Sequence, residues 1–114
     1  MAINGKRRSE RVLLDVPLII SGKAKDKQPF REETFTLTVS AHGALVVLAS
    51  KVELGQTVKL TKLKTTEADE REAIVAFLGP PYAGLATVGL QFANPSPEFW
   101  PVSAPPADWV HAKV

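Results

Sequence analysis

The sequence predicts an all-β fold: a six-stranded antiparallel β-barrel followed by a short, proline-rich helical tail. Three observations carry that prediction. Six short runs rich in Val, Leu, Ile and Thr lie between residues 12 and 92, bounded by Gly, Pro or polar turn signals. No strand-like run alternates with a helical one, as a parallel sheet would require. Five of the nine prolines fall between Pro95 and Pro106, beyond which no strand pattern returns. Antiparallel strands at this spacing build a barrel or a sandwich, and closure as a barrel removes the unpaired edges a small open sheet would expose.

The elements follow in order. Residues 12–22 are rich in Val, Leu and Ile, but Pro17 lacks a backbone donor, so this strand lies at an edge or bends at a bulge. Residues 23–31 are a charged connection containing Pro29. Residues 34–40 alternate most clearly. Phe35, Leu37 and Val39 share one face, and Thr34, Thr36, Thr38 and Ser40 share the other. Such a strand buries one face and presents hydroxyls on the opposite one. Ala41-His42-Gly43 interrupts it, and residues 44–48 resume as a buried run. Leu54-Gly55-Gln56 is a turn. Residues 57–65 alternate imperfectly around Val58, Leu60 and Leu63, and the slip in phase predicts a bulge. Residues 66–69 form a polar turn. Residues 71–78 are a strand centred on Ile74, Val75 and Phe77, ended by Gly79-Pro80-Pro81. Residues 85–92 close the set, with Ala86, Val88, Leu90 and Phe92 on one face. Beyond them, Ser96-Pro97-Glu98 reads as a helix start with Ser as cap and Pro in the first turn. Pro101 limits that helix to about one turn, and a second turn begins near Pro106. Phe99, Trp100 and Trp109 form either a lid over one barrel opening or a surface for a partner. The domain plan is thus a flexible basic arm over 1–11, a barrel over 12–93 and a tail over 94–114.

Composition bounds the function. A chain of 114 residues, 45% hydrophobic and 23% charged, holds one core without staples. With no cysteine there is no disulfide framework, thiolate metal site or thiol nucleophile. With only His42 and His111, a metal site would need several carboxylates, and none is assigned. No apolar run reaches the roughly 18 to 20 residues of a membrane span. No signal-peptide core precedes Asp15 either, so a cytoplasmic setting is expected. The net charge of +2 conceals an asymmetry. Residues 1–31 carry eight basic and three acidic groups, whereas the remainder carries six basic and nine acidic. The positive charge is densest at Lys6-Arg7-Arg8-Ser9-Glu10-Arg11. That is too little for a groove tracking a nucleic-acid polymer, which would also interleave aromatic and basic residues on the strands. It is enough for an arm that binds a small anion.

Two separated features then coincide. Arg7 and Arg11 stand four apart with Arg8 between them, and about thirty residues later comes Thr38-Val39-Ser40-Ala41-His42-Gly43. Together they resemble the PilZ domain family, receptors for the bacterial messenger cyclic di-GMP. The family pattern is Arg-x-x-x-Arg ahead of the first strand, then Asp/Asn-x-Ser-x-x-Gly at a strand end. Arg7 and Arg11 match the first motif; Ser40 and Gly43 match the second; Thr38 stands where the family has Asp or Asn. Glu53-Leu54-Gly55-Gln56 and Gly89-Leu90-Gln91-Phe92 look like the family's turn after the third strand and its closing strand. The resemblance spans residues 6–93 and implies a PilZ-like barrel of the split-barrel type.

The chemistry of the residues fits that ligand. Guanine presents O6 and N7 as adjacent acceptors, which a planar guanidinium meets with two parallel hydrogen bonds and a lysine cannot. Arginine also pairs with phosphate and stacks on purine faces. The resemblance implies ligand binding by Arg7, Arg8, Arg11, Thr38, Ser40 and Gly43, with the arm ordering over the nucleotide. Ser40 can donate to a phosphate or a guanine atom, and Gly43 is expected to supply a positive φ that admits the ligand. The threonine hydroxyl at 38 is a poorer acceptor than a carboxylate. His42 is at a variable position, His111 is given no role, and a Ser40–His42 catalytic pair lacks an acid and a nucleophile elbow. The leading expectation is a stand-alone, non-enzymatic receptor domain that needs no cofactor, binds cyclic di-GMP and signals to a protein effector. The alternative is a degenerate domain that no longer binds the nucleotide and acts as a protein-interaction module.

Overall fold

In the computed structural model, which describes residues 10–62, 69–102 and 106–111, seven strands form one continuous sheet. They are β1 (Val12–Leu13), β2 (Pro17–Lys23), β3 (Pro29–Ser40), β4 (Gly43–Leu48), β5 (Thr57–Lys62), β6 (Glu70–Tyr82) and β7 (Leu85–Phe92). Their order is β1-β3-β2-β5-β6-β7-β4, and β3 also pairs with β4, so β2 to β7 close into a six-stranded antiparallel barrel with β1 as an extra strand. The barrel expectation holds. A short 3-10 turn (Pro97–Phe99) and the helix α1 (Ala107–His111) follow.

The first expected strand is two. β1 pairs with the end of β3, Val12 opposite Val39, and β2 with its beginning, Pro17 opposite Phe35. Proline starts β2, where its missing donor is least costly. In the gap, the Thr36 hydroxyl accepts from the Val16 N–H at 2.9 Å and donates to the Leu14 carbonyl. A side chain thus replaces ladder bonds that the interruption removes.

That arrangement corrects the expected hydroxyl face. The register of β3 against β4 shifts between Thr36 and Thr38, so Leu37 is an extra residue. A bulge inverts the side-chain phase of everything beyond it. Before it the inward residues are even-numbered, and Thr36 is buried while Phe35 is exposed. After it Val39 and Ala41 point inward, both fully buried, and Thr38 and Ser40 point outward.

Three further expectations change. The charged connection is shorter than 23–31, because β3 already begins at Pro29. β5 pairs in regular register from Thr57 to Thr61, so no bulge lies within that stretch, while the rest of the segment with the turn at 66–68 lies outside the described residues. β6 does not end at Gly79-Pro80-Pro81 but continues to Tyr82. The prolines are accommodated because the β6–β7 register shifts between Gly79 and Tyr82, leaving them out of the ladder.

The core lies inside the barrel, around Leu18, Ile20, Val46, Leu60, Val75 and Val88, each at most 1% exposed. Phe99, Trp100 and Trp109 belong to the same cluster and are likewise buried. Phe92 stacks on Trp100 with centroids 5.7 Å apart, while Phe99 meets Trp100 edge-on at 4.9 Å. Large rings bury the most apolar area per residue ordered, so this cluster fastens the tail to the barrel. Ser96 does not cap the 3-10 turn with its side chain. Its hydroxyl accepts from Arg71 Nε at 3.2 Å and donates to the Asn94 carbonyl at 3.1 Å.

Candidate functional site

A surface cleft of about 520 Å³ opens on the outer wall of the barrel. That volume falls within the range of small-molecule sites. Five chain segments meet there: Arg11 ahead of β1, the end of β3 with Thr38 and Ser40, the start of β4 with Gly43 and Leu45, β6 at Phe77, and β7 with Gly89 and Gln91.

Each is positioned for a local reason. Val12 pairs with Val39, so Arg11 leaves the sheet beside Ser40 and its exposed side chain borders the cleft. The bulge at Leu37 turns Thr38 and Ser40 onto the outer wall together. Ser40 Oγ accepts the His42 N–H at 3.3 Å, which orients the hydroxyl at the hairpin. Gly43 does not have the positive φ expected of it; among the described glycines that conformation belongs to Gly55 and Gly84. Its constraint is steric, since a Cβ there would collide with the carbonyl oxygen of Leu90 on the neighbouring strand.

The hairpin Ser40–Gly43 is held from beneath by three consecutive carbonyls. Trp100 Nε1 donates to the Ser40 carbonyl at 2.8 Å, the Ser96 N–H to that of Ala41 at 2.8 Å, and the Phe92 N–H to that of His42 at 2.7 Å. Each of these carbonyls has a protein partner, which fixes the corner. The backbone just ahead of Arg11 is held as well. The Glu10 N–H donates to Asp108 Oδ2 at 2.8 Å, and Trp109 Nε1 donates to the Glu10 carbonyl at 2.8 Å.

Of the six residues predicted from sequence, Arg11, Thr38, Ser40 and Gly43 meet in this cleft. Arg7 and Arg8 lie outside the described residues. The cleft also contains residues that sequence reasoning did not assign to it. Leu45, Gly89 and Phe77 form a lane across β4, β7 and β6, since Gly89 pairs with Leu45 on one side and Phe77 on the other. Regular alternation along β6 would carry Phe77 inward with the buried Ala73 and Val75. The register shift between Val75 and Phe77 turns it outward, and it is 52% exposed. No local pattern announces that shift. A second concavity of about 360 Å³, near Lys25, Lys51 and Leu85, holds none of the predicted residues.

Among the described residues lining the cleft, Arg11 is the one Lys, Arg, Asp or Glu side chain, and the His42 imidazole is there as well. The prominent charge cluster is elsewhere, at the tail. Asp69 pairs with Arg71 and, at 3.3 Å, with Lys62, while Arg71 also reaches Glu98 at 3.4 Å. Burial pushes the Asp69 carboxyl up, but its hydrogen bonds and attraction to Arg71, then Lys62, outweigh this and hold it below the usual carboxylate value. Among the described residues no group of three or more His, Asp or Glu side chains is placed to hold a metal, and no helix is long and apolar enough to cross a membrane.

The described residues thus form a closed antiparallel barrel with a polar-and-apolar cleft on its outer wall, bordered by Arg11. Residues 5–99 match the PilZ domain, and the chain belongs to that family. Two solved structures share the fold. One is the inhibitor of motility MotI/DgrA of Bacillus subtilis, at 18% identity and a TM-score of 0.59, covering 82% of this chain. This chain spans less than half, 45%, of that protein. The other is the PilZ domain of YcgR from Escherichia coli, a structure with c-di-GMP, at 15% identity and a TM-score of 0.58, covering 82% of each chain. Comparison with the curated proteins gives no match.

Proposed function

We propose that this domain is a receptor for cyclic di-GMP, that it is not an enzyme, and that it signals by contact with another protein. The observation that carries the reading is the convergence of Arg11, Thr38, Ser40 and Gly43 on one cleft. Family membership and the fold shared with the nucleotide-bound domain of YcgR support it.

Each residue has a role in this reading. Arg11, with Arg7 and Arg8 of the same arm, supplies guanidinium forks for guanine edges and phosphates. The Ser40 hydroxyl donates to a phosphate or guanine oxygen. Gly43 keeps β4 and β7 close enough to form the wall on which the ligand rests. Ordering the arm costs on the order of 1 to 2 kcal/mol per residue, which the charge-assisted contacts must exceed. The ordered arm is then the surface read by the partner.

Thr38 favours a second reading. A hydroxyl in place of a carboxylate or amide weakens recognition of the guanine N1–H and N2–H donors, and a domain that has lost the nucleotide would serve as a protein-interaction module. Calorimetric titration decides between the two. The receptor reading expects saturable heat with cyclic di-GMP, an affinity reduced roughly tenfold or more in Arg11→Ala, and little change in Lys25→Ala. Absence of heat at high micromolar ligand supports the module. Equal loss in Arg11→Ala and Lys25→Ala would mean unspecific attraction.

A further inference from the structure

Phe77 is the one large aromatic ring lining the cleft among the described residues, and its seat is unusual. It pairs with Gly89 across the β6–β7 ladder and stands two residues from Gly79 on its own strand. A Cβ on Gly89 would come within 2.9 Å of Phe77 Cβ, and a Cβ on Gly79 within 2.6 Å of Phe77 Cε2 and 3.2 Å of Cζ. The ring therefore occupies the space above two glycines, which fixes its tilt against the sheet. Any side chain at either position would displace it. Yet 52% of the residue remains exposed, on the side of the molecule where Thr38, Ser40 and Arg11 converge. A ring held rigidly by the backbone beneath it, half in water and bordered by hydrogen-bonding groups, is the arrangement that binds a flat heterocycle by its face. Rigidity lowers the entropy lost on binding, and the exposed apolar surface is what stacking removes from water.

We propose that Phe77 is a stacking platform for one guanine base of the bound nucleotide, and that Gly79 and Gly89 are its positioning residues. The inference rests on the receptor reading above and adds a recognition contact to it. It also bears on Thr38. Where the edge of the base lacks a strong acceptor, its face supplies affinity that is insensitive to the identity of that acceptor.

The test uses the full chain in three variants, Phe77→Ala, Phe77→Leu and Phe77→Trp, titrated with cyclic di-GMP, with far-UV circular dichroism to check folding. Loss of a base–aromatic stack should weaken binding about 5- to 150-fold in Phe77→Ala. Phe77→Leu, which keeps apolar cover over the glycines without a π-face, should lose most of the same affinity and stands in if the alanine variant does not fold. Phe77→Trp should bind at least as tightly as the parent. Its added indole emission, above that of the buried Trp100 and Trp109, should be quenched as ligand is added. Parental affinity in Phe77→Leu, or unquenched emission in a Phe77→Trp protein that binds, overturns the stacking proposal alone. No binding by the parent chain overturns the receptor reading and the stacking proposal with it.

Discussion

Thr38 shows how much one side chain decides. It stands on the outer wall beside Ser40, at a position where the family places a carboxylate or an amide, and its hydroxyl is a weaker acceptor than either. A charge-assisted hydrogen bond is worth about 1.5 to 3 kcal/mol, so Thr38→Asp should raise nucleotide affinity roughly ten- to a hundred-fold by calorimetry. An unchanged affinity would show that the edge of the base is recognised elsewhere. Asp69 makes a different point at the same scale. It joins Lys62 and Arg71, whose cationic groups lie 4.9 and 5.0 Å from the centre of the Phe99 ring, so the ion pairs border the packed tail. Its native pKa is lowered. The stabilisation this brings is therefore complete above the unfolded value of about 4 and is lost as pH falls through the lower native value. Asp69→Asn should flatten the acid limb of melting temperature against pH below about pH 4, and an unaltered acid limb would remove the pair from the stability account.

Among the elements, the strands were legible wherever alternation was regular and misread wherever a bulge intervened. Residues 85–92 match β7 residue for residue because no extra residue interrupts them. In β3 a single inserted residue, Leu37, reverses the faces, so Thr36 became the plug of the β1–β2 gap instead of a surface hydroxyl. In β6 another shift turns Phe77 out of phase with the buried Ala73 and Val75 and into the cleft. A bulge depends on the partner strand's register, which no local pattern encodes. Proline gave the opposite error. Pro80 and Pro81 look like a strand end, but the true turn is Ala83-Gly84, with φ of 52° and 82°. Two consecutive positive φ values are the demand of a type I′ hairpin, for which Asn-Gly is preferred. An alanine held there is strained, so Ala83→Asn should stabilise the domain by about 0.5 to 1 kcal/mol in chemical denaturation. A decrease in stability would show that the turn is not the one described.

At the scale of the whole molecule, the two ends of the sequence frame the site together. Trp109 and Asp108 grip the Glu10 backbone at a sequence separation of 98 to 99 residues, and Trp100 grips Ser40 at 60. The motif residues Arg11, Ser40 and Gly43 were readable as a set from order and spacing. The tail's part in holding two of their segments was not, because such long-range bonds leave no periodic trace in sequence. The tail therefore joins its rings to the barrel's core, and its hydrogen bonds hold Ser40 and Glu10 beside the cleft. One location is therefore decisive. Backbone amide resonances followed by nuclear magnetic resonance during addition of cyclic di-GMP should move at Ser40, Gly43, Leu45 and Gly89, while those of Lys51 and Ala86 beside the second concavity stay in place. Shifts centred on Lys51 and Ala86, or no shifts at all, would contradict that location.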